Sequence, residues 1–597
     1  MNTEEEKPSA ASNEALDIRM HAAWARAWSS LSPESPMLAW LDWAIHLATS
    51  PGKQEALSDQ ALVKFEQCMA YLREGLEALK EGREPPALPP TDDRRFDDPS
   101  WNDWPYSLLR HGYQLQSHWW EQATQGVWGV SPQHQRLVAF GTRQWLEMLS
   151  PANLPLLNPV VLQRTRDEDG ANLARGLENF LDDVRRQLYS LPPAGAEAFE
   201  VGRNLATTPG KVVLKNDLIE LIQYAPTTEK VHPEPILIVP AWIMKYYILD
   251  LSPHNSLIRH LVDQGHTVFC ISWKNPDAED RDLGMDEYLE LGLHAALDAV
   301  NAIVPGRKIH ATGYCLGGTL LAIGASAMAR DGDDRLASLT LLAAQTDFSE
   351  PGELGLFIDE SQVSLLEAHM AEKGYLESEQ MSGAFKMLRS YDMVWSRLLN
   401  EYLLGDRRPM NDLMAWNADG TRMPAKMHSQ YLRRLYLNND LSSGRYPVGG
   451  RPTSLGNLTL PIFCVGTTTD HVAPWRSVFK LHLFSSAEIT FVLTNGGHNA
   501  GIVSEPGRPR RHFQLRTVVA SDSYISADEW QSTTPQQEGS WWSAWFEWLR
   551  TRSSERVKPP RIGNASKGLR PIHDAPGSYV RQRGVAAEGD ENLKEHG

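Results

Sequence analysis

Between Phe199 and Leu493 short apolar runs alternate with stretches of helical spacing, and this rhythm restricts the fold more than any other feature of the chain. Pro235 to Pro240, Thr267 to Ile271, Lys308 to Thr312, Leu336 to Ala344, Pro461 to Val465 and Glu488 to Leu493 are the runs. A strand wetted on one side alternates apolar with polar, whereas a strand buried on both faces reads as one continuous apolar segment. Strand alternating with helix therefore predicts an α/β fold, a mostly parallel sheet covered on both faces. Ahead of it, Lys211 to Lys215 and Leu218 to Tyr224 flank Asn216-Asp217 and read as a hairpin. About 348 to 450 lacks such strands and reads as a helical insertion between two core strands, the place of a cap.

The rest of the chain predicts the other domains. Residues 1–20 are polar and read as a disordered tail. Residues 21–200 carry helical spacing without strand patterning and read as a helical N-terminal domain, residues 201–580 as the catalytic domain with its cap, and residues 581–597 as a loose charged tail. Near the end, Trp541, Trp545 and Trp548 share one helical face, which reads as a terminal helix docked on the core rather than a cofactor box.

Bulk properties exclude some functions. A net charge of −17 with no long basic block argues against nucleic acid. No run of about 18 apolar residues is present, so no membrane span is expected. The acidic, polar start Met1-Asn-Thr-Glu-Glu-Glu reads as no signal peptide. Four cysteines, Cys68, Cys270, Cys315 and Cys464, stand far apart without metal-ligand spacing, which predicts no disulfide, no metal and a reducing cytoplasm.

Chemistry gathers at the ends of the predicted strands. Gly313-Tyr-Cys-Leu-Gly317 follows one strand and opens an Ala- and Leu-rich helix, the setting of a G-x-S-x-G nucleophile elbow with Cys315 in place of serine. The helix N-terminus favours thiolate, and the Leu316 N–H could face a developing oxyanion. A buried structural cysteine between glycines fits the motif alone equally well. Asp470 follows the strand Pro461 to Val465, and His498 follows Glu488 to Leu493. Nucleophile, acid, base is the chain order of α/β-hydrolases, and open α/β sheets collect reactive groups past the carboxyl ends of their strands. Asp470 also fits a helix-capping turn; Asp347 is a rival acid and His471 a rival base. The second oxyanion donor is expected after Pro235 to Val239, at the N–H of Trp242 or Ile243.

Taken together, Gly313-Tyr-Cys-Leu-Gly-Gly318, Asp470-His-Val-Ala-Pro-Trp475, Gly497-His-Asn-Ala-Gly-Ile-Val503, Lys245-Tyr-Tyr-Ile-Leu-Asp-Leu251, Trp416-Asn-Ala-Asp419 and Asp574-Ala-Pro-Gly577 make the chain resemble the class I polyhydroxyalkanoate synthases over about residues 90–580. The loop Pro240-Ala-Trp-Ile-Met244 departs from that family's pattern. The resemblance implies polymerisation of (R)-3-hydroxyacyl-CoA, short-chain such as 3-hydroxybutyryl-CoA, into a polyester with release of CoA. It implies Cys315 as the nucleophile holding the growing chain, His498 as general base and Asp470 as the carboxylate assisting the 3-hydroxyl of the incoming unit. It further implies a homodimer bound to polymer granules in the cytoplasm, and no cofactor, CoA being carrier and leaving group. A cysteine hydrolase of esters or thioesters, including a polyester depolymerase, and an inactive granule-binding paralogue are the competing readings.

Overall fold

The computed structural model describes Met20 and residues 32–91, 93–378, 380–381, 383 and 394–583. The tails expected at 1–20 and 581–597 lie outside these, save Met20 and residues 581–583. The chain divides into two units: Leu31–Ala194 with Gly383–Pro409, and Gly195–Ser382 with Met410–Gly597 and Met1–Ser30.

Among its described residues the first unit holds helices and loops but no strand, with α-helices Glu34–Ala48, Pro51–Lys80, Tyr106–Thr124, Pro132–Met148, Pro159–Asp167 and Ala171–Leu188. Three of these begin on proline, which lacks the N–H that a first turn leaves unpaired. Ser131 and Asn158 cap two of them, accepting from His134 N–H at 3.2 Å and Val160 N–H at 2.9 Å. The stretch Leu398–Leu403, from inside the insertion, packs on the helix Ala171–Leu188. There Asn172 and Asn179 donate to the carbonyls of Leu403 (2.8 Å) and Glu401 (2.9 Å), and Gly176 has no room for a Cβ against the Tyr402 carbonyl.

The second unit is built on the sheet. Its strands are β1 (Gly210–Lys215), β2 (Ile219–Tyr224), β3 (His232–Val239), β4 (His266–Trp273), β5 (Ile309–Tyr314), β6 (Leu336–Leu342), β7 (Tyr375–Leu376), β8 (Met423–Pro424), β9 (Tyr446–Val448), β10 (Arg451–Thr453), β11 (Ile462–Thr467), β12 (Ile489–Thr494), β13 (His512–Val518), β14 (Gln536–Glu538) and β15 (His573–Asp574). Eleven form one sheet in the order β14-β13-β12-β11-β6-β5-β3-β4-β2-β1-β15. The six from β4 to β12 in that order run parallel, and the flanking strands are antiparallel. Each expected run lies in the sheet, and β1–β2 is the expected hairpin. Leu237 and Val239 of β3 enter one apolar layer while Ile236 and Ile238 enter the other, so both faces are buried and the run reads as unbroken.

Two expectations need correction. The insertion is not purely helical: β7 pairs with β8 and β9 with β10, both short and antiparallel. Three strands after His498 went unread, because β13, β14 and β15 are polar on at least one side and the last two are three and two residues long. The terminal helix Trp542–Arg550 docks as expected, with Trp541, Trp545 and Trp548 buried in the layer that holds Ile236.

Candidate active site

β5 ends at Tyr314, and Cys315 follows with φ 52° and ψ −125°, a conformation that L-residues rarely adopt. The turn survives because the elements around it nearly touch. A Cβ on Gly317 would lie inside the carbonyls of Val239 and Pro240, and one on Gly313 would strike Gly318. The Cys315 N–H donates to Leu342 O at 2.9 Å, pinning the turn to β6. The helix Leu316–Asp331 starts one residue on, so its positive end adjoins the sulfur.

Asp470 follows β11 after two turn residues and is buried. Its Oδ1 accepts the N–H of Val472 and of Ala473, each at 2.8 Å. Its Oδ2 accepts from Thr467 Oγ1 at 3.1 Å and from His498 Nδ1 at 2.8 Å. Burial alone would raise the Asp470 carboxyl, but the charge and hydrogen bond of His498 and the two amides outweigh it and hold it below its usual value. Burial likewise disfavours a charged His498. The charge and hydrogen bond of Asp470, with a contribution from the neighbouring Cys315, more than offset this and hold the imidazole well above its ordinary value. With Nδ1 on the carboxylate, Nε2 has no geometrically complete hydrogen bond among the described residues, and Cys315 is the neighbour that acts on it. The structure thus brings Cys315, Asp470 and His498 together from three strand ends.

Family models and related proteins bear on what this arrangement belongs to. The family model for the poly-beta-hydroxybutyrate polymerase (PhaC) N-terminus matches residues 92–261, that for the poly-beta-hydroxybutyrate polymerase N terminal matches 11–53, and that for the alpha/beta hydrolase fold matches 234–505. A poly(3-hydroxyalkanoate) polymerase of Methylorubrum extorquens is 40% identical over 529 residues, 88% of this chain and 87% of that protein. The chain belongs to the poly(3-hydroxyalkanoate) polymerase family. The poly(3-hydroxyalkanoate) polymerase subunit PhaC of Rhizobium meliloti (strain 1021) is 39% identical over 503 residues, 84% of this chain and 81% of that protein. Membership makes the chain an acyltransferase that polymerises 3-hydroxyalkanoate units on an α/β-hydrolase-type sheet.

The rivals stand elsewhere. Asp347 accepts from Asn439 Nδ2 at 2.8 Å, from Lys480 Nζ at 3.2 Å and from Ser349, so it ties β6 to the elements beyond it. His471 lies 3.9 Å from Glu353 and is half exposed. The N–H groups of Leu316, Trp242 and Ile243 donate no hydrogen bond among the described residues. Gly317 fits directly under the end of β3, which brings the loop carrying Trp242 and Ile243 beside the start of the nucleophile helix. A cavity of about 220 Å³ lined by His232, His260, His266 and Arg556 lies at the starts of β3 and β4, the opposite strand ends, and takes no part in this site.

Several supporting residues carry no sequence signal for a place at the site. Burial and, to a lesser degree, the neighbouring Cys315 raise the hydroxyls of Tyr431 and Tyr436 from the insertion, and Tyr431 donates to Tyr436 Oη at 3.2 Å. Trp541 and Trp542 donate their indole N–H to Gly501 O (3.0 Å) and Ile502 O (2.9 Å), bracing the turn after His498. Tyr314 donates to Asn499 Oδ1 at 2.5 Å. Among the described residues no helix is long and apolar enough to cross a membrane.

Proposed function

We propose that the enzyme polymerises (R)-3-hydroxyacyl-CoA, short-chain such as 3-hydroxybutyryl-CoA, through a thioester on Cys315. The reading rests on one observation: His498 is held by a saturated carboxylate on one side and on the other turns toward Cys315 an Nε2 that completes no hydrogen bond among the described residues.

The steps follow from that geometry. The growing chain is held as an acyl thioester on the Cys315 sulfur. The 3-hydroxyl of an incoming unit gives its proton to His498 Nε2 as its oxygen attacks the thioester carbonyl. The acyl–sulfur bond to Cys315 breaks, an ester forms, and the thiolate is left beside the imidazolium. That thiolate then attacks the CoA thioester of the lengthened chain, and CoA departs with the proton from His498. Thioester is exchanged for thioester in this second step, so loading is nearly balanced, while the acyl–sulfur bond stays activated toward a hydroxyl. Leu316 N–H, with that of Trp242 or Ile243, faces the carbonyl oxygen in both steps. Asp470 has both oxygens committed to four donors, so it assists the 3-hydroxyl only through the ring it orients. Water is the competing acceptor, and the insertion with Tyr431 and Tyr436 keeps it out. The scheme calls on no cofactor or metal, CoA serving as acyl carrier and leaving group.

A cytoplasmic, granule-bound homodimer belongs to the same proposal. Met37, Leu38, Leu41 and Ile45 of one helix, and Leu173, Leu177, Leu181 and Leu188 of another, are exposed apolar rows suited to a polyester surface. Light scattering tests the dimer, and sedimentation with polymer tests the granule contact.

The deciding experiment incubates wild type and Cys315→Ala with 3-hydroxybutyryl-CoA and measures free CoA and insoluble polymer separately. Polymer from wild type and none from the variant is expected. Free acid in place of polymer makes the enzyme a hydrolase, and polymer from Cys315→Ala overturns the thioester scheme.

A further inference from the structure

Cys315 and His498 reach the site on separate loops, and the proposed chemistry requires sulfur and Nε2 to keep one separation through both steps. Catalytic groups must be held to about 0.5 Å, which calls for supports that are themselves fixed by packing and hydrogen bonds. The residues beside them in sequence provide one. Tyr314 precedes Cys315, and Asn499 follows His498. The buried Tyr314 hydroxyl donates to Asn499 Oδ1 at 2.5 Å, a contact between residues 185 apart in the chain. The Tyr314 ring also lies against the His498 imidazole, centroids 5.7 Å apart and planes inclined by 34°.

Both ends of this contact are anchored. Tyr314 is the last residue of β5, paired with Leu342 of β6. The Asn499 carbonyl accepts the N–H of Ile502 (3.0 Å) and Val503 (2.9 Å), closing the turn that Trp541 and Trp542 brace. Burial, helped by the neighbouring Cys315 and Asp470, pushes the Tyr314 hydroxyl well above its ordinary value, so it stays a donor across the working range.

We propose that Tyr314 and Asn499 are positioning residues, a strut between the nucleophile turn and the base loop that fixes the sulfur-to-imidazole distance. The proposal rests on the reading of Cys315 and His498 as the reacting pair. Tyr314→Phe keeps the ring against His498 and removes only the donor. With one buried hydrogen bond lost and the pair loosened, kcat should fall about tenfold while KM for 3-hydroxybutyryl-CoA stays within about twofold. The pH profile of Cys315 alkylation by iodoacetamide, corrected by the Cys315→Ala background, should shift in the same variant. Asn499→Ala should reproduce both effects, and the double variant should be no worse than either single one, because both remove the same bond.

Wild-type kcat and an unshifted alkylation profile in Tyr314→Phe overturn the proposal, as do additive losses in the double variant. If Tyr314→Phe does not fold, Asn499→Ala decides on the same two readouts. Polymer synthesis by Cys315→Ala would sink the reading beneath. An inactive Cys315→Ala beside wild-type behaviour in Tyr314→Phe and Asn499→Ala would sink this inference alone.

Discussion

Replacing Asp470 by asparagine tests the site most sharply, because the structure dictates which way the amide must face. Oδ1 receives two backbone N–H groups at 2.8 Å, so that position keeps an oxygen; turning the NH2 toward those donors would set three donors against one another. The NH2 of the introduced amide therefore takes the place of Oδ2, facing His498 Nδ1. A donor now meets a donor, and the ring relieves the conflict by carrying its proton on Nε2, the atom that must accept from thiol or hydroxyl. A comparable wrong-tautomer change in a Ser-His-Asp site costs about 10⁴-fold in kcat, and the expected fall here is about 10³- to 10⁴-fold, roughly 4 to 5.5 kcal/mol. KM should change little, since Asp470 is buried and both its oxygens are committed to protein donors. Free CoA released from 3-hydroxybutyryl-CoA measures the rate. Retention of more than about a tenth of the wild-type rate between roughly pH 6 and 9 would refute the reasoning.

The same pair sets a stability signature. Asp470 is lowered, so its share of stability is present above about 3.8 and lost as pH falls through its lower folded value. His498 is raised, so its share is full below about 6.5 and lost as pH rises through its higher folded value. Urea unfolding of wild type should show this share between those limits, and Asp470→Asn should lack it. His266 and His310 work in the other direction: chiefly through burial they are pushed down to about 3 and about 4. Between roughly pH 5.5 and 5 the unfolded chain holds nearly both protons and the fold almost neither, so stability drops there by up to about 2.7 kcal/mol per pH unit from these two groups, and by less toward pH 6.5 and pH 4. His266→Gln should reduce the pH slope of the unfolding free energy by up to about 1.4 kcal/mol per unit, read by urea unfolding from about pH 6 to 5, and equal slopes would contradict the assignment. Gly317→Ala drives a Cβ into two backbone carbonyls and should cost about 3 kcal/mol or more, read as a lowered unfolding midpoint; an unchanged midpoint would mean the elbow is looser than described.

Much of this was legible in the sequence because the signals were local. Gly313, Cys315 and Gly317 announce a tight turn within five residues, and continuous apolar runs mark strands buried on both faces, as Ile236 to Val239 are. Order along the chain then carried Asp470 and His498 to the same rim. What escaped reading depends on distance or on an edge. Strand β13 alternates Phe513 and Leu515 with polar neighbours, and its last residues are half exposed, so no continuous run marks it. The Tyr314–Asn499 contact spans 185 residues, and neither residue type in its own setting predicts the other. Tyr431 and Tyr436 sit in helical sequence where a tyrosine reads as core.

The stretch Gly383–Pro409 belongs with Leu31–Ala194, and that bears on the order of synthesis. Asn172, Asn179 and the flat face at Gly176 leave the ribosome more than two hundred residues before Leu398–Leu403, which they receive. The nascent helix Ala171–Leu188 must wait, its groove unfilled, while the whole run from β1 to β7 is translated. A fragment cut at Ala194 would leave Asn172, Asn179 and the face at Gly176 without the partners they have in the intact chain.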